Sequence, residues 1–190
     1  QQLDGSVVDF SVDEHPRRDT TAEKLAALKV LHPEIEGFSI TAGNSSGTND
    51  ACAAVAVVDR AYAAAEKLTV MATVKAWAAA GVPPRDTGLG AVKAIAKVLE
   101  RAGLKPSDVA LWEVNEAFAA VPIAACREFG LDEELVNFSG SGCSLGHPIA
   151  ASGARMVTTL IYELQRRGGG IGVAAMCAGG GQGGAVVVEV

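Results

Sequence analysis

The sequence predicts a layered α/β fold with a mixed, mostly parallel sheet, and three observations predict it. From residue 68 onward, apolar β-branched runs alternate with segments whose apolar positions recur at helical spacing. The chain is rich in small residues, with 22 glycines and only 5% aromatics, so helices and strands can approach closely. At 190 residues it is long enough for one sizeable core or for one domain and part of another.

The elements follow in order. Residues 1–36 are polar and show no core of their own; Thr21 is placed to cap a short helix over 22–28. Gly, Asn and Ser crowd residues 39–50 into a loop of tight turns, and Asn49 or Asp50 is expected to cap an Ala-rich helix over 51–67. Residues 68–80 read as one strand or two short ones. Val92, Ile95, Ala96 and Leu99 place a helix over 88–102. A strand is expected over 109–114, a helix over 117–129, a short strand over 135–138 and a helix over 152–167. The last of these ends in positive charge and then Gly168, as helix C-termini favour. Two strands, 171–176 and 185–190, close the pattern around a glycine loop. The order βαβαβαββ argues for helix crossovers between parallel strands, with one antiparallel edge strand at the end.

Composition excludes several functions. The net charge is −6 and no Lys/Arg run offers a track for phosphates, which argues against nucleic-acid and anionic-membrane binding. No stretch of about 18 residues is free of charges or Gly/Pro breakers, so no membrane span is expected. Gln1-Gln2-Leu3-Asp4-Gly5 has neither the basic nor the apolar region of a signal peptide. The first residue is not Met, so the chain is expected to begin inside a longer product. Four cysteines without a CxxC pair suit thiols in a reducing, cytoplasmic setting better than a disulfide framework.

In parallel α/β sheets, sites collect beyond the carboxyl ends of the strands. Three unusual clusters fall there: Asn115-Glu116, the loop reaching His147, and Cys177 with its glycines. His147 sits in Gly140-Ser141-Gly142-Cys143-Ser144-Leu145-Gly146-His147-Pro148, and reads as a general base or as a structural turn histidine. Cys177 precedes Gly179-Gly180-Gly181, which suits a proton-donating thiol beside free N–H groups, or a buried Cys before a hairpin turn. Asn115 and Glu116 read first as helix caps, and Ser45 and Ser46 as turn residues.

Taken together, these clusters resemble the thiolase superfamily, whose motifs are a TAGNASG-ND loop, a NEAF box, a GHP loop followed by ASGAR, and a CxGGG loop. They occur here, in the same order, as Thr41-Ala42-Gly43-Asn44-Ser45-Ser46-Gly47 with Asn49-Asp50, Asn115-Glu116-Ala117-Phe118, Gly146-His147-Pro148 with Ala151-Ser152-Gly153-Ala154-Arg155, and Cys177-Ala178-Gly179-Gly180-Gly181. Four ordered motifs over residues 38–190 are a specific match.

The resemblance implies an acyl-CoA C-acyltransferase that cleaves or forms β-ketoacyl-CoA by ping-pong Claisen chemistry, with CoA thioesters as substrates and no cofactor or metal. By the same resemblance, His147 activates the nucleophilic thiol and, with a water held by Asn115, binds the thioester oxygen. Cys177 exchanges the α-carbon proton, and the Gly179 N–H forms part of the second oxyanion hole. Ser46 would contact the pantetheine arm, and Phe118 would wall the acyl pocket.

The family's nucleophilic cysteine belongs to an N-terminal half. Cys52 and Cys126 are expected to be core residues, and Cys143, four residues before His147, is the one thiol within plausible reach. The chain is therefore expected to be inactive alone, its partner being an N-terminal thiolase half and its assembly a homodimer or homotetramer. The family pattern divides it into the end of a loop domain (1–48), the last helix and strand of the N-terminal half (49–70) and the C-terminal domain (71–190). Ala150, Thr87-Gly88-Leu89-Gly90-Ala91 and Gln182-Gly183-Gly184 depart from the usual family residues and leave room for an acyl group other than acetyl. Asn115-Glu116-Ala117-Phe118, in place of the His-Asp-Cys-Phe box of sterol-carrier-type thiolases, favours the ordinary degradative or biosynthetic branch. The rival readings are a non-catalytic subunit of a two-chain complex and, more remotely, a metal site at Cys143, His147 and Cys177.

Overall fold

The computed structural model describes residues 3–9, 11–13 and 15–190. The sequence readings that involve Gln1, Gln2 and Glu14 lie outside these residues. Five α-helices and four strands are found among the described residues: α1 Ala22–Ala26, α2 Arg60–Ala65, β1 Thr73–Gly81, α3 Leu89–Ala102, β2 Leu111–Val114, α4 Ala120–Phe129, α5 Ile149–Arg166, β3 Ile171–Ala178 and β4 Gln182–Glu189.

The strands form one mixed sheet in the order β1-β4-β3-β2. β2 and β3 pair in parallel, while β4 runs antiparallel to both β3 and β1. Three strands thus point one way and β4 the other. The expected antiparallel edge strand is in fact internal. The three-residue turn at Gly179–Gly181 folds β4 back beside β3, and β1 then adds to its far side. Gly183 permits a close crossing there, because a Cβ at that position would meet the Gly90 carbonyl oxygen of α3 at 2.0 Å.

Each face of the sheet carries a core. Ile95 and Val98 of α3 and Val121 and Ala125 of α4 pack on Trp112, Val114, Val173 and Val187. On the other face Met156, Leu160 and Leu164 of α5 cover Leu111, Ala174 and Val188. Leu160 is fully buried, and its side chain contributes about 1.5–3 kcal/mol. All four residues of β2 are buried, so the strand is flanked by apolar packing on both sides.

Several expected elements differ. The helix expected over 51–67 is confined to α2, which is capped by Asp59, whose carboxylate accepts from Ala61 N–H at 2.8 Å. Residues 51–59 are exposed and carry β-branched Val55, Val57 and Val58, so they lack the packed face that sustains most helices. The strand expected from 68 begins at Thr73. Helix α4 begins at Ala120 with no side-chain cap, which excludes Asn115 and Glu116 as its caps. The strand expected over 135–138 does not form. Val136 makes a single bridge to Trp112, and then Asn137 turns left-handed at φ 52°. Its side-chain amide continues the ladder instead, accepting from Val114 N–H and donating to Val114 O, both at 2.8 Å. Thr21 does cap α1, its hydroxyl accepting from Lys24 N–H at 3.2 Å.

Candidate active site

The parallel pair β2–β3 ends at a common edge, where Val114 opposes Ala175 and Asn115 N–H donates to Ala175 O at 2.9 Å. Strand alternation puts Leu111, Glu113 and Asn115 on the side of β2 that faces α5. Asn115 is fully buried and His147 is 8% exposed. The Asn115 amide Nδ2 lies 3.2 Å from His147 Nε2 and 3.5 Å from Nδ1. Asn115 Oδ1 is buried without a hydrogen-bond partner among the described residues. A buried amide oxygen left open in this way is an acceptor for water or ligand.

The other side of the imidazole is fixed by Ser152, in the first turn of α5. Its hydroxyl lies 2.6 Å from His147 Nδ1 and donates to Pro148 O at 3.0 Å. With its proton committed to that carbonyl, the hydroxyl accepts from Nδ1–H. On this assignment Nε2 carries the lone pair, and it accepts from Asn115 Nδ2–H at 3.2 Å. Burial is the larger cause holding the His147 pKa below its ordinary value, and the Arg155 cation is the second. Both favour the neutral form that a base requires.

The loop carrying His147 is positioned from three directions. Asn49, expected as a helix cap, instead accepts from His147 N–H through Oδ1 at 3.0 Å. Gly142 lies so close to the Glu116 carbonyl that a Cβ would meet its oxygen at 2.5 Å. The Glu116 carboxylate accepts from Cys143 N–H at 3.1 Å and from Asn137 Nδ2 at 2.8 Å. The 41–49 loop docks on this assembly: Ser46 N–H donates to Ala117 O at 3.0 Å, Ala119 N–H donates to Asn44 O at 2.9 Å, and Ser45 bridges Phe118. Ser46 is half-buried and Phe118 is 40% exposed, so the two sit together at the rim.

Cys177 ends β3 on the sheet face that carries α3 and is 6% exposed. Burial raises its pKa. It shares no hydrogen bond with His147 or Asn115 among the described residues; their common strand edge relates them. Gly179 follows in the turn, with its carbonyl accepting from Gln182 Nε2 at 3.3 Å. Cys143 donates to Glu116 O at 3.5 Å, and its pKa is pushed up to about 11, first by burial and then by the Glu116 charge. Cys126 is buried in α4 and Cys52 is exposed, so the expectation of Cys52 as a core residue is corrected. Among the described residues, no three His, Cys, Asp or Glu side chains converge as metal ligands. No helix among them is long and apolar enough to cross a membrane.

Sequence reading left Ser152, Asn49, Asn137, Glu113 and Arg155 without roles at the site. One signal was available: Glu113 is a lone charge within the apolar strand Leu111-Trp112-Glu113-Val114.

Residues 68–190 match the family model described as thiolase, C-terminal domain, and residues 1–61 match that of thiolase, N-terminal domain. The acetyl-CoA acetyltransferase of Escherichia coli (strain K12) is 46% identical over 180 residues, covering 95% of this chain and 45% of that protein. The crystal structure of the Bacillus anthracis acetyl-CoA acetyltransferase superposes with a TM-score of 0.85 at 44% identity, covering 96% of this chain and 46% of the other. That of human mitochondrial 3-ketoacyl-CoA thiolase in complex with CoA gives 0.83 at 37%, covering 95% and 45%. The chain spans about half the length of the relatives it matches. With four ordered motifs converging on one strand edge and a family model covering residues 68–190, this chain belongs to the thiolase family.

Proposed function

We propose that this chain supplies the base and acid of an acyl-CoA C-acyltransferase that cleaves or forms β-ketoacyl-CoA. The observation that carries the reading is the Ser152–His147–Asn115 array, which presents an oriented imidazole beside an amide oxygen with no partner among the described residues. His147 Nε2 takes the proton of the acyl-accepting thiol. With a water held by Asn115, it then donates to the thioester oxygen as charge develops there. Cys177 gives or takes the proton at the substrate α-carbon, and the Gly179 N–H stabilises the second oxyanion. Ser46 meets the pantetheine arm, and Phe118 walls the acyl group. That a family member was crystallised with CoA supports a CoA thioester as substrate.

The acyl-accepting thiol comes, on this reading, from an N-terminal half. The placement of the cysteines supports it: Cys126 is in the core, Cys143 is held well above the thiolate range and Cys52 is exposed. Residues 1–48 then belong to the loop domain, 49–70 to the N-terminal half and 71–190 to the C-terminal domain, with assembly as a homodimer or homotetramer.

The test assays CoA-dependent cleavage of a panel of β-ketoacyl-CoA esters by this chain alone and by the protein with both halves. Activity is expected only with both halves, and it is expected to be lost on His147→Asn and Cys177→Ala and retained on Cys143→Ala. Turnover by the chain alone would sink the shared-site reading. An inactive complete protein would instead favour a non-catalytic, CoA-ester-binding subunit.

A further inference from the structure

Behind the Asn115–His147 contact lies a second polar pair, between the same strand and the same helix. Glu113, two residues before Asn115 on the same face of β2, is fully buried. Its Oε2 accepts from Arg155 Nη1 at 2.8 Å, while Oε1 has no partner among the described residues. Arg155 stands three residues after Ser152 and so on the same face of α5. Its Nη2 reaches Ser141 Oγ at 3.5 Å, within the loop that ends at His147. Ser141 in turn organises that loop, its carbonyl accepting from Ser144 N–H at 3.1 Å and Leu145 N–H at 2.7 Å. The guanidinium therefore contacts Glu113 from β2 and Ser141 from the loop, and its charge reaches the His147 imidazole. Glu116, after β2, adds its negative charge on Glu113.

We propose that Arg155, clamped between Glu113 and Ser141, is a positioning residue for His147, tying the 140–147 loop to β2 and setting a fixed cation behind the imidazole. Packing alone does not account for such a group. A buried ion pair between a strand and a helix gains little over apolar side chains of similar size, and the adjoining positions Leu111, Leu160 and Leu164 show that this interface accepts them. A cation held near the ring acts on its protonation, because a like charge disfavours the imidazolium. Glu113 keeps the guanidinium in one place, so that the effect is directed rather than averaged over rotamers.

The proposal rests on His147 being the base, but its test needs no turnover, so its failure and failure of the acyltransfer reading are distinguishable. The His147 ring is titrated by NMR in the native assembly with isotope-labelled histidine, its signal identified by its loss in His147→Asn. Arg155→Met is expected to raise the His147 titration midpoint. Arg155→Lys, which keeps the charge, should leave it near that of the parent. The double variant Glu113→Gln/Arg155→Met, which removes both charges without orphaning either, should also raise it. A purely structural Arg155 would change the melting temperature in these variants and leave the midpoint in place. Folded Arg155→Met or double variants with an unchanged or lowered midpoint overturn the proposal. Should neither variant fold, Arg155→Gln, which keeps a polar group beside Glu113 while removing the charge, decides on the same terms: a raised midpoint supports the proposal, and an unchanged or lowered one overturns it.

Discussion

The Ser152 hydroxyl lies 2.6 Å from His147 Nδ1 and 3.0 Å from the Pro148 carbonyl, so one side chain both bonds back to the first turn of α5 and holds the imidazole. Ser152→Ala removes that constraint while leaving the helix intact. Turnover of the complete enzyme is expected to fall roughly 10–100-fold, as when other hydrogen-bond partners that orient a histidine are removed. KM should change little, because the hydroxyl touches the base and not the substrate. Steady-state kinetics that moved KM alone would contradict this role.

Gly142 and Gly179 make a matched pair for the loops of the site. An added Cβ at Gly142 would lie 2.5 Å from the Glu116 carbonyl oxygen and 2.8 Å from its carbon, and neither is a flexible side chain that can swing away. Gly142→Ala is expected to cost about 1–3 kcal/mol, the usual range for overpacking, and to displace the His147 loop. Gly179→Ala meets nothing within 4 Å and keeps its N–H, so its melting temperature should match the parent. Thermal denaturation of the two variants side by side reads the difference.

Glu113 makes stability depend on pH. Burial raises its pKa from 4.5 to about 7, and the Arg155 cation offsets this only in part. Between these two values the folded state holds a proton that the unfolded state has released. The folded state is therefore favoured at the acid end, and stability falls as pH rises through the window. The contribution is at most about 3 kcal/mol. Glu113→Gln should flatten the dependence between about pH 4.5 and 7, measured as the slope of unfolding free energy in urea. A slope as steep as the parent's would contradict it.

How far the site could be read from sequence depends on the range of the interactions involved. The motifs around Asn115 and Cys177 were legible because each lies at the end of a largely buried strand, and the β2–β3 register does place these ends together, while His147 was legible from the glycines around it in its loop. Helix α3 was legible from its spacing, since one face packs on the sheet and the other meets water. Residues 51–59 misled because alanine favours a helix only where something packs against it, and these residues are exposed. Residues 135–138 misled because the apolar pattern cannot show that the Asn137 side chain would take over the ladder. The bond from Asn49 to His147 spans 98 positions of the chain, and neither residue signals it locally.

The internal position of β4 bears on how the molecule is made. Thr73 pairs with Glu189 and Gly81 with Gln182, so β1 finds its hydrogen-bonding neighbour only after β2 and β3 have been made and β4 has left the ribosome. Until then β1 and β3 are separate ribbons with the slot between them open. Closing a long loop precedes the gain from pairing, which slows folding and prolongs the exposure of unpaired edges. Nascent chains stalled short of residue 182 should therefore bind chaperones avidly, and release should coincide with the arrival of β4.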